Sequence, residues 1–344
     1  MVLITKYLTS VLVFLFMGEW LVAPGVGSDW DEDTSVQEIL QELGEGAPSH
    51  LLPGESSREI MIIKQGEDIV KRGRTIGPNG KLSTYVSKYF ICTNCHNIVQ
   101  EDPDLTSRDP ELRLNYAQEK RIPFLQGTTF DGIVNRESWY NDDYVKKYGD
   151  LVKPAHDDLR EAIQLCAVQC SQGRLLEGWE MRAVLAYFWS LQFTLGDLQM
   201  TPQELAQLRA ESDNPAKWES LRKLVKGKYL QTSPAHFSDA PPDKEKGYGL
   251  TGDPERGKAL YELSCLHCHN ANGVSEYVLD QSKMSFRNLD KKIVKDSHYS
   301  LYQIIRYGTW AQPGHRPYMP HYPLERMSDQ QVEDLRSYVD QMSL

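Results

Sequence analysis

Cys92-Thr93-Asn94-Cys95-His96 and Cys265-Leu266-His267-Cys268-His269 are two copies of one pattern, C-x-x-C-H, in a chain of 344 residues. Two thiols three positions apart on a turn can reach the two vinyl groups of a porphyrin and form thioethers. The histidine that follows then turns its imidazole to the iron. Each copy therefore reads as a covalent haem c attachment site, and two copies predict two covalently bound haem c groups, each with its iron. On this reading Cys92, Cys95, Cys265 and Cys268 bind the cofactor, and His96 and His269 are metal ligands. Zinc fits less well. Its C-x-x-C pairs usually stand about 12–20 residues apart, whereas Cys95 and Cys265 fall in different halves of the chain. A thioredoxin-like redox pair gives no reason for a histidine after both copies.

Outward from the motifs, the chain reads as mostly α, with two cytochrome c-type haem domains joined by a linker. Residues 58–72 carry Ile60, Ile62, Ile63, Ile69 and Val70 in a helical pattern that Gly77-Pro78-Asn79-Gly80 breaks. Residues 102–150 are rich in charge, proline and tyrosine and read as irregular structure. Asp157 or Asp158 is placed to cap a helix over 159–170. Met181, Val184, Leu185, Phe188 and Leu191 mark another helix after Gly178, with Gly196 as its stop. These elements make a first haem domain over 58–196. Residues 197–252 read as two short polar helices, 202–211 and 215–225, and then a turn-rich run with Pro234, Pro241, Pro242, Gly247 and Gly249; together they read as the linker. Asp253-Pro254 is an N-cap followed by proline at the first helical position. Ser328-Asp329-Gln330-Gln331 fits a capping box, with Val332, Leu335 and Val339 as the buried face of the last helix. This second unit, 253–344, is the second haem domain.

Composition bounds the function. The chain is 40% hydrophobic and 25% charged, ordinary for a globular protein. Its net charge of −10 argues against nucleic acid as a partner, since phosphate calls for a basic surface. The acid is concentrated in Asp29, Asp31, Glu32, Asp33, Glu38, Glu42 and Glu45, so 29–57 reads as an acidic flexible lead in which 36–43 forms a short helical turn or two. No apolar run reaches the roughly 18–20 residues of a membrane span. Residues 7–17 follow Lys6 and precede Ala23-Pro24-Gly25-Val26-Gly27-Ser28. A basic start, a short apolar core and small residues are the parts of a secretory signal. Residues 1–28 are therefore expected to be a signal peptide, the protein to be periplasmic, and no membrane span to remain after cleavage. An uncleaved leader acting as a tether is the other reading.

The sixth ligands distinguish the two irons. Tyr318-Met319-Pro320 makes Met319 the expected metal ligand in the second domain, a choice that raises the haem potential. Met284 lies close to His269 and Met327 sits at the cap of the last helix, so both are weaker candidates. His298, His315 and His321 read as solvent or loop residues. Between His96 and Gly196 the one methionine is Met181, on an apolar stripe. Instead Cys166 and Cys170 stand four apart on a predicted helix. Such neighbours have Cβ atoms about 5–6 Å apart, and a disulfide wants about 3.5–4.5 Å. Thiolate is a known haem ligand, so one of the two is the expected ligand of the first iron. Pairing in a frayed helix, and two buried free thiols, stay open beside it.

Gly66-x-x-Ile69, Ile76-Gly77-Pro78, Tyr85-Val86, the first haem motif, Leu159-x-x-x-Ile163-x-x-Cys166, Gly173 and Glu180-Met181-x-Ala183-x-x-Ala186-Tyr187 together carry a likeness. Residues 66–191 resemble the N-terminal haem domain of thiosulfate dehydrogenases, which are dihaem c-type cytochromes. The resemblance implies that Cys166 is the axial ligand of the active-site haem and the catalytic residue, and that thiosulfate or a related sulfur anion is the substrate. The family's Arg-Ser-Met-Asn-Gly is here Gln169-Cys170-Ser171-Gln172-Gly173. A doubly charged oxyanion wants arginine or lysine donors, and Arg174 is the nearest replacement. The second unit looks like a generic cytochrome c.

Two functions follow. One is an oxidoreductase that takes electrons from a small sulfur anion at the first haem and passes them to the second. The alternative is a non-enzymatic dihaem electron carrier or a subunit of a respiratory complex. Both require a redox partner protein, and the acidic lead suits docking on a basic one.

Overall fold

The structure is a computed structural model that describes residues 29–48, 60–293, 300–309 and 318–344. The expected signal peptide at 1–28, and His298 and His315, lie outside the described residues. The fold is mostly α, as expected. Among the described residues β pairing is confined to two isolated bridges, Ser35 with Thr194 and Ile76 with Leu82.

Two helix crossings organise the molecule. The helix Ile60–Arg72 crosses the helix Gly178–Trp189 at Gly66. A Cβ added there would lie 1.9 Å from the Ala183 carbonyl oxygen and 2.8 Å from the Tyr187 Cβ, so only glycine lets the backbones approach this far. Ile69, Val70, Val184 and Phe188 surround the crossing, and Leu159, Ala162 and Leu165 of the helix Leu159–Leu165 complete its core. The same junction recurs in the second unit. The helix Pro254–Leu260 crosses the helix Asp329–Ser343 at Gly257. An added Cβ there would lie 2.0 Å from the Asp334 carbonyl oxygen and 2.8 Å from the Tyr338 Cβ. In both units the crowded oxygen and the crowded Cβ belong to residues four apart, one turn of the facing helix. The expected caps form: Asp253 accepts from the Glu255 N–H at 2.9 Å and Ser328 Oγ from the Gln331 N–H at 3.0 Å.

Gly257→Val puts three carbons where the Asp334 backbone now sits. Overpacking of this kind costs about 1–3 kcal/mol or more, and the crossing leaves no flexible side chain to yield. Urea unfolding of the variant is expected to move to clearly lower denaturant, with Gly257→Ala intermediate. An unchanged midpoint would show that the crossing does not hold the second unit together.

Three stretches differ from their sequence reading. Residues 102–150 are not irregular throughout. Asp109 caps the helix Pro110–Lys120 by accepting from the Glu111 and Leu112 N–H groups, and Leu114, Ala117 and Phe124 enter the core of the second unit. The lead forms the short helix read over 36–43, but it is packed into a core rather than flexible. Ser35 caps the helix Val36–Glu42, and Val36, Ile39, Leu40 and Leu43 are buried. The stretch read as a linker supplies the other half of that core. The helices Pro202–Glu211 and Trp218–Lys226 pack Leu208, Leu221 and Val225 against the lead and against Phe193 and Leu198. Burial of these apolar stripes outweighs the surrounding acid, which points outward. The turn-rich run after Ser233 is tied to the body: Asn141 Nδ2 donates to the Ala235 carbonyl at 2.7 Å, and the Phe237 N–H to Asp143 at 2.7 Å.

The two units are joined by a buried ion cluster. Arg326 donates to both Glu101 oxygens at 2.6 and 2.8 Å. Arg113 stands 3.7 Å from Glu101 and donates to the Arg326 carbonyl at 2.5 Å. Burial by itself would raise the Glu101 carboxyl, but Arg326 and then Arg113 hold it well below the usual carboxylate range.

Candidate haem centres

The first attachment motif forms a single tight turn, Cys92–Asn94. Asn94 Oδ1 accepts from the Ile91 N–H at 2.8 Å, and the His96 N–H donates to the Cys92 carbonyl at 3.1 Å. His96 Nδ1 lies 2.7 Å from the Thr128 carbonyl oxygen. A carbonyl only accepts, so Nδ1 carries the proton and Nε2 keeps its lone pair for a metal. Outer partners of this kind orient ligating histidines generally. Phe130 stacks on the His96 ring at 4.5 Å and 17°. Gly127 comes so close that an added Cβ would sit 2.4 Å from His96 Cε1. Burial lowers the His96 imidazole to about 4, so the ring is neutral near pH 7, as a ligand must be.

These residues line a cavity of about 1540 Å³, counting its open mouth, which also takes in Cys166 and Cys170. Its walls are apolar, with Ile69, Val86, Leu159, Ile163 and Val184 among them. The apolar lining and the Cys92–Cys95–His96 donor set fit a porphyrin.

Asp158 caps the helix Leu159–Leu165, which brings Cys166 to the cavity. The chain then widens into one π-helical turn, Cys166–Cys170, a feature often found at functional sites. The regular α-helix expected over 159–170 thus ends at Leu165. Both thiols are free and in contact, with Cys166 donating to Cys170. The Tyr148 and Tyr140 hydroxyls stand 3.3 and 3.8 Å from Cys170 Sγ. The Cys166 contact, opposed by burial and aided by Tyr148 and Tyr140, lowers the Cys170 thiol to about 6. The same contact and burial raise Cys166 well above the ordinary thiol value. Met181 is a core residue, as its stripe indicated. Arg174 does not serve the cavity: it is held by Glu180 at 2.6 and 2.7 Å.

The second motif follows a π-helical turn, Tyr261–Cys265, and continues as the short helix Leu266–His269. His269 Nδ1 lies 2.7 Å from the Tyr277 carbonyl oxygen, which again fixes the proton on Nδ1 and frees Nε2. Met319 is held at both backbone ends. Its N–H donates to Thr309 Oγ1 at 2.7 Å, and its carbonyl accepts from the Thr309 N–H at 2.9 Å. Its side chain packs against the core of the second unit, as those of Cys265 and Leu266 do. Of its rivals, Met284 is 62% exposed and Met327 is buried in the core.

The two motifs abut. Cys268 Sγ lies 3.9 Å from the Asn94 carbonyl oxygen, and His267 hydrogen-bonds the Thr93 carbonyl. The segment after residue 317 serves both sites. Met319 faces the second core, whereas Tyr318, Pro320 and His321 line the first cavity. His321, read from the sequence as a solvent or loop residue, is buried. Thr128, Tyr277, Tyr148 and Lys147 had no signal in the sequence, because they act through backbone carbonyls or through contacts that only the fold creates.

Residues 254–343 match the protein family described as Cytochrome c. This part of the chain is a cytochrome c domain. Such a domain carries covalently bound haem c with its iron and an electron-transfer role, so the protein is a c-type haem protein. A second likeness is to a glutamyl-tRNA(Gln) amidotransferase component of the organellar chromatophore from Paulinella chromatophora, 23% identical over 154 residues. It covers 45% of this chain, and the chain spans 29% of that protein. Among the described residues no helix is long and apolar enough to cross a membrane.

Proposed function

We propose that this protein is an exported dihaem c-type cytochrome. In it Cys92, Cys95 and His96 hold one haem, and Cys265, Cys268 and His269 hold the other. Each bound haem supplies a one-electron iron couple. The observation that supports this reading is the contact between the two attachment turns at Cys268 and Asn94. The repeated glycine crossing at Gly66 and Gly257 supports one domain design used twice. Met319 serves the second site as a soft sulfur ligand, and one sulfur of the Cys166–Cys170 pair serves the first, Cys166 being the one the resemblance favours. The periplasm is the proposed compartment, and a redox partner protein takes the electrons.

The first site is proposed to oxidise a small sulfur anion of the thiosulfate class. Its cavity, its sulfur ligand and the resemblance over 66–191 support this. The carrier reading draws on one observation, the locking of Arg174 by Glu180, which removes the expected arginine donor. Mixing oxidised holoprotein with thiosulfate tests the two readings. Appearance of the reduced spectrum supports the enzyme, and no reduction across several sulfur anions supports the carrier. Low-temperature EPR of Cys166→Ala examines the ligand separately: a low-spin signal of thiolate type is expected in the wild type and should vanish in the variant. A signal that survives there but is lost in Cys170→Ala would move the ligand to Cys170.

A further inference from the structure

We infer that Arg136 and Ser233 seat a propionate of the porphyrin in the first cavity. The inference rests on the dihaem reading above and names the residues that hold the carboxylate edge of that group.

Charge leads to it. Cys92 and Cys95 take the vinyl edge of a haem c, so its two propionate carboxylates turn to other walls. Among the described residues the cavity is lined by two arginines and by no lysine, aspartate or glutamate. Arg326 is already engaged, since it donates to both Glu101 oxygens and to the Leu125 carbonyl. Arg136 is 4% exposed, and its bonds go to uncharged oxygens. Nη2 donates to the Thr129 carbonyl at 2.8 Å and to the Asp131 carbonyl at 3.2 Å. Nη1 donates to Ser233 Oγ at 3.3 Å. Among the described residues no carboxylate forms an ion pair with it. A guanidinium stays charged in a protein, and a buried charge calls for an opposite one.

The carboxylates nearby do not supply it. Glu101 and Asp131 act on Arg136 only from a distance, while Arg108 and Arg326 repel it. Glu101 is taken by Arg326 and Arg113. Burial, and then Asp197, raise the Asp131 carboxyl to about 7, so it is only partly ionised near neutral pH.

Ser233 completes the seat. It lines the same cavity. Its oxygen accepts from Nη1, so its own O–H is left to donate, and a hydroxyl hydrogen turns to suit its acceptor. A charged fork and a hydroxyl that share a hydrogen bond can serve one carboxylate together, and charge-assisted bonds are the stronger kind. Ser233 belongs to the turn-rich run between the units, so the seat also ties that run to the first haem.

The test is resonance Raman spectroscopy of the holoprotein, with potentiometric titration, EPR and haem content beside it. In Arg136→Met a propionate bending band is expected to move to lower frequency. One of the two midpoint potentials should fall, because loss of a cation favours the oxidised iron, while the other potential and the EPR signals hold. Arg136→Lys, which keeps the charge and loses the fork, should keep the potential and move the band part of the way. Ser233→Ala leaves the guanidinium in place and should move the same band by less. Propionate bands that do not move in Arg136→Met overturn the seat. A fall in potential alone would then be charge acting across the cavity, and a changed EPR signal alone would mean that the arginine only supports the loop beside His96. If Arg136→Met loads no haem at the first site, Ser233→Ala decides in the same way. Wild-type holoprotein without haem on Cys92 and Cys95 defeats the dihaem reading and the seat together, whereas two haems with unmoved bands defeat the seat alone.

Discussion

Holoprotein in which Cys92 and Cys95 are both alanine is expected to carry one covalent haem per chain, against two in the wild type. The measurement is the absorbance of the alkaline pyridine complex divided by protein concentration, with haem staining of the denatured chain beside it. The expectation comes from the separateness of the two sites. Each histidine has its own backbone carbonyl, Thr128 for His96 and Tyr277 for His269. Each attachment turn is closed by its own hydrogen bonds. The double variant removes both thioether positions of the first site and touches none of the second. Because the family match covers only residues 254–343, this variant bears on the part of the chain where haem is a proposal. Wild-type protein that already holds a single haem, lost only with Cys265→Ala/Cys268→Ala, would sink the dihaem reading.

The sites were more legible in the sequence than the architecture around them. A C-x-x-C-H motif is local chemistry: five neighbouring residues specify attachment and one axial ligand, so nothing about the fold is needed to find it. Helix caps such as Asp253 and Ser328 are local as well, and both formed where their patterns stood. The glycines at 66 and 257 were visible as letters, but their meaning depends on the Ala183 and Asp334 backbones, more than seventy residues away in each case. The short helix of the lead was legible over 36–43, but not its burial: acidic residues dominate the composition there, and the core that Val36, Ile39, Leu40 and Leu43 enter is completed by distant helices. Residues 110–124 were misread for a different reason. Their apolar stripe is narrow, and the core that it completes belongs to the other unit. Cys166 and Cys170 fell between these cases. Their spacing suggested a helix, but the π-helical turn that brings the two sulfurs together has no signature that composition or period reveals.

Replacing Arg326 by methionine is expected to destabilise the protein by about 3–5 kcal/mol, the usual cost of leaving a buried charge without its partner. Glu101 is 1% exposed and Arg326 is 2% exposed, so no water replaces the lost guanidinium. Arg326 also donates to the Leu125 carbonyl at 2.9 and 3.1 Å, and those bonds go too. Chemical unfolding near neutral pH should show the loss. The double variant Glu101→Gln/Arg326→Met should recover much of it, because the orphaned charge has been removed along with its partner. The pH dependence separates this account from simple loss of packing. In the wild type the Glu101 pKa is depressed, so the pair's contribution is present above the ordinary carboxylate pKa and is lost only as pH falls well below that range. In Arg326→Met only Arg113, at 3.7 Å, remains to oppose burial, and the Glu101 pKa rises. A buried acid with a raised pKa costs stability when ionised, and the cost disappears as it takes up a proton. The deficit of the variant should therefore be largest at neutral pH and shrink as pH falls through the new Glu101 value. A deficit that is flat with pH would mean that the lost Leu125 bonds and packing, not the stranded carboxylate, account for the damage.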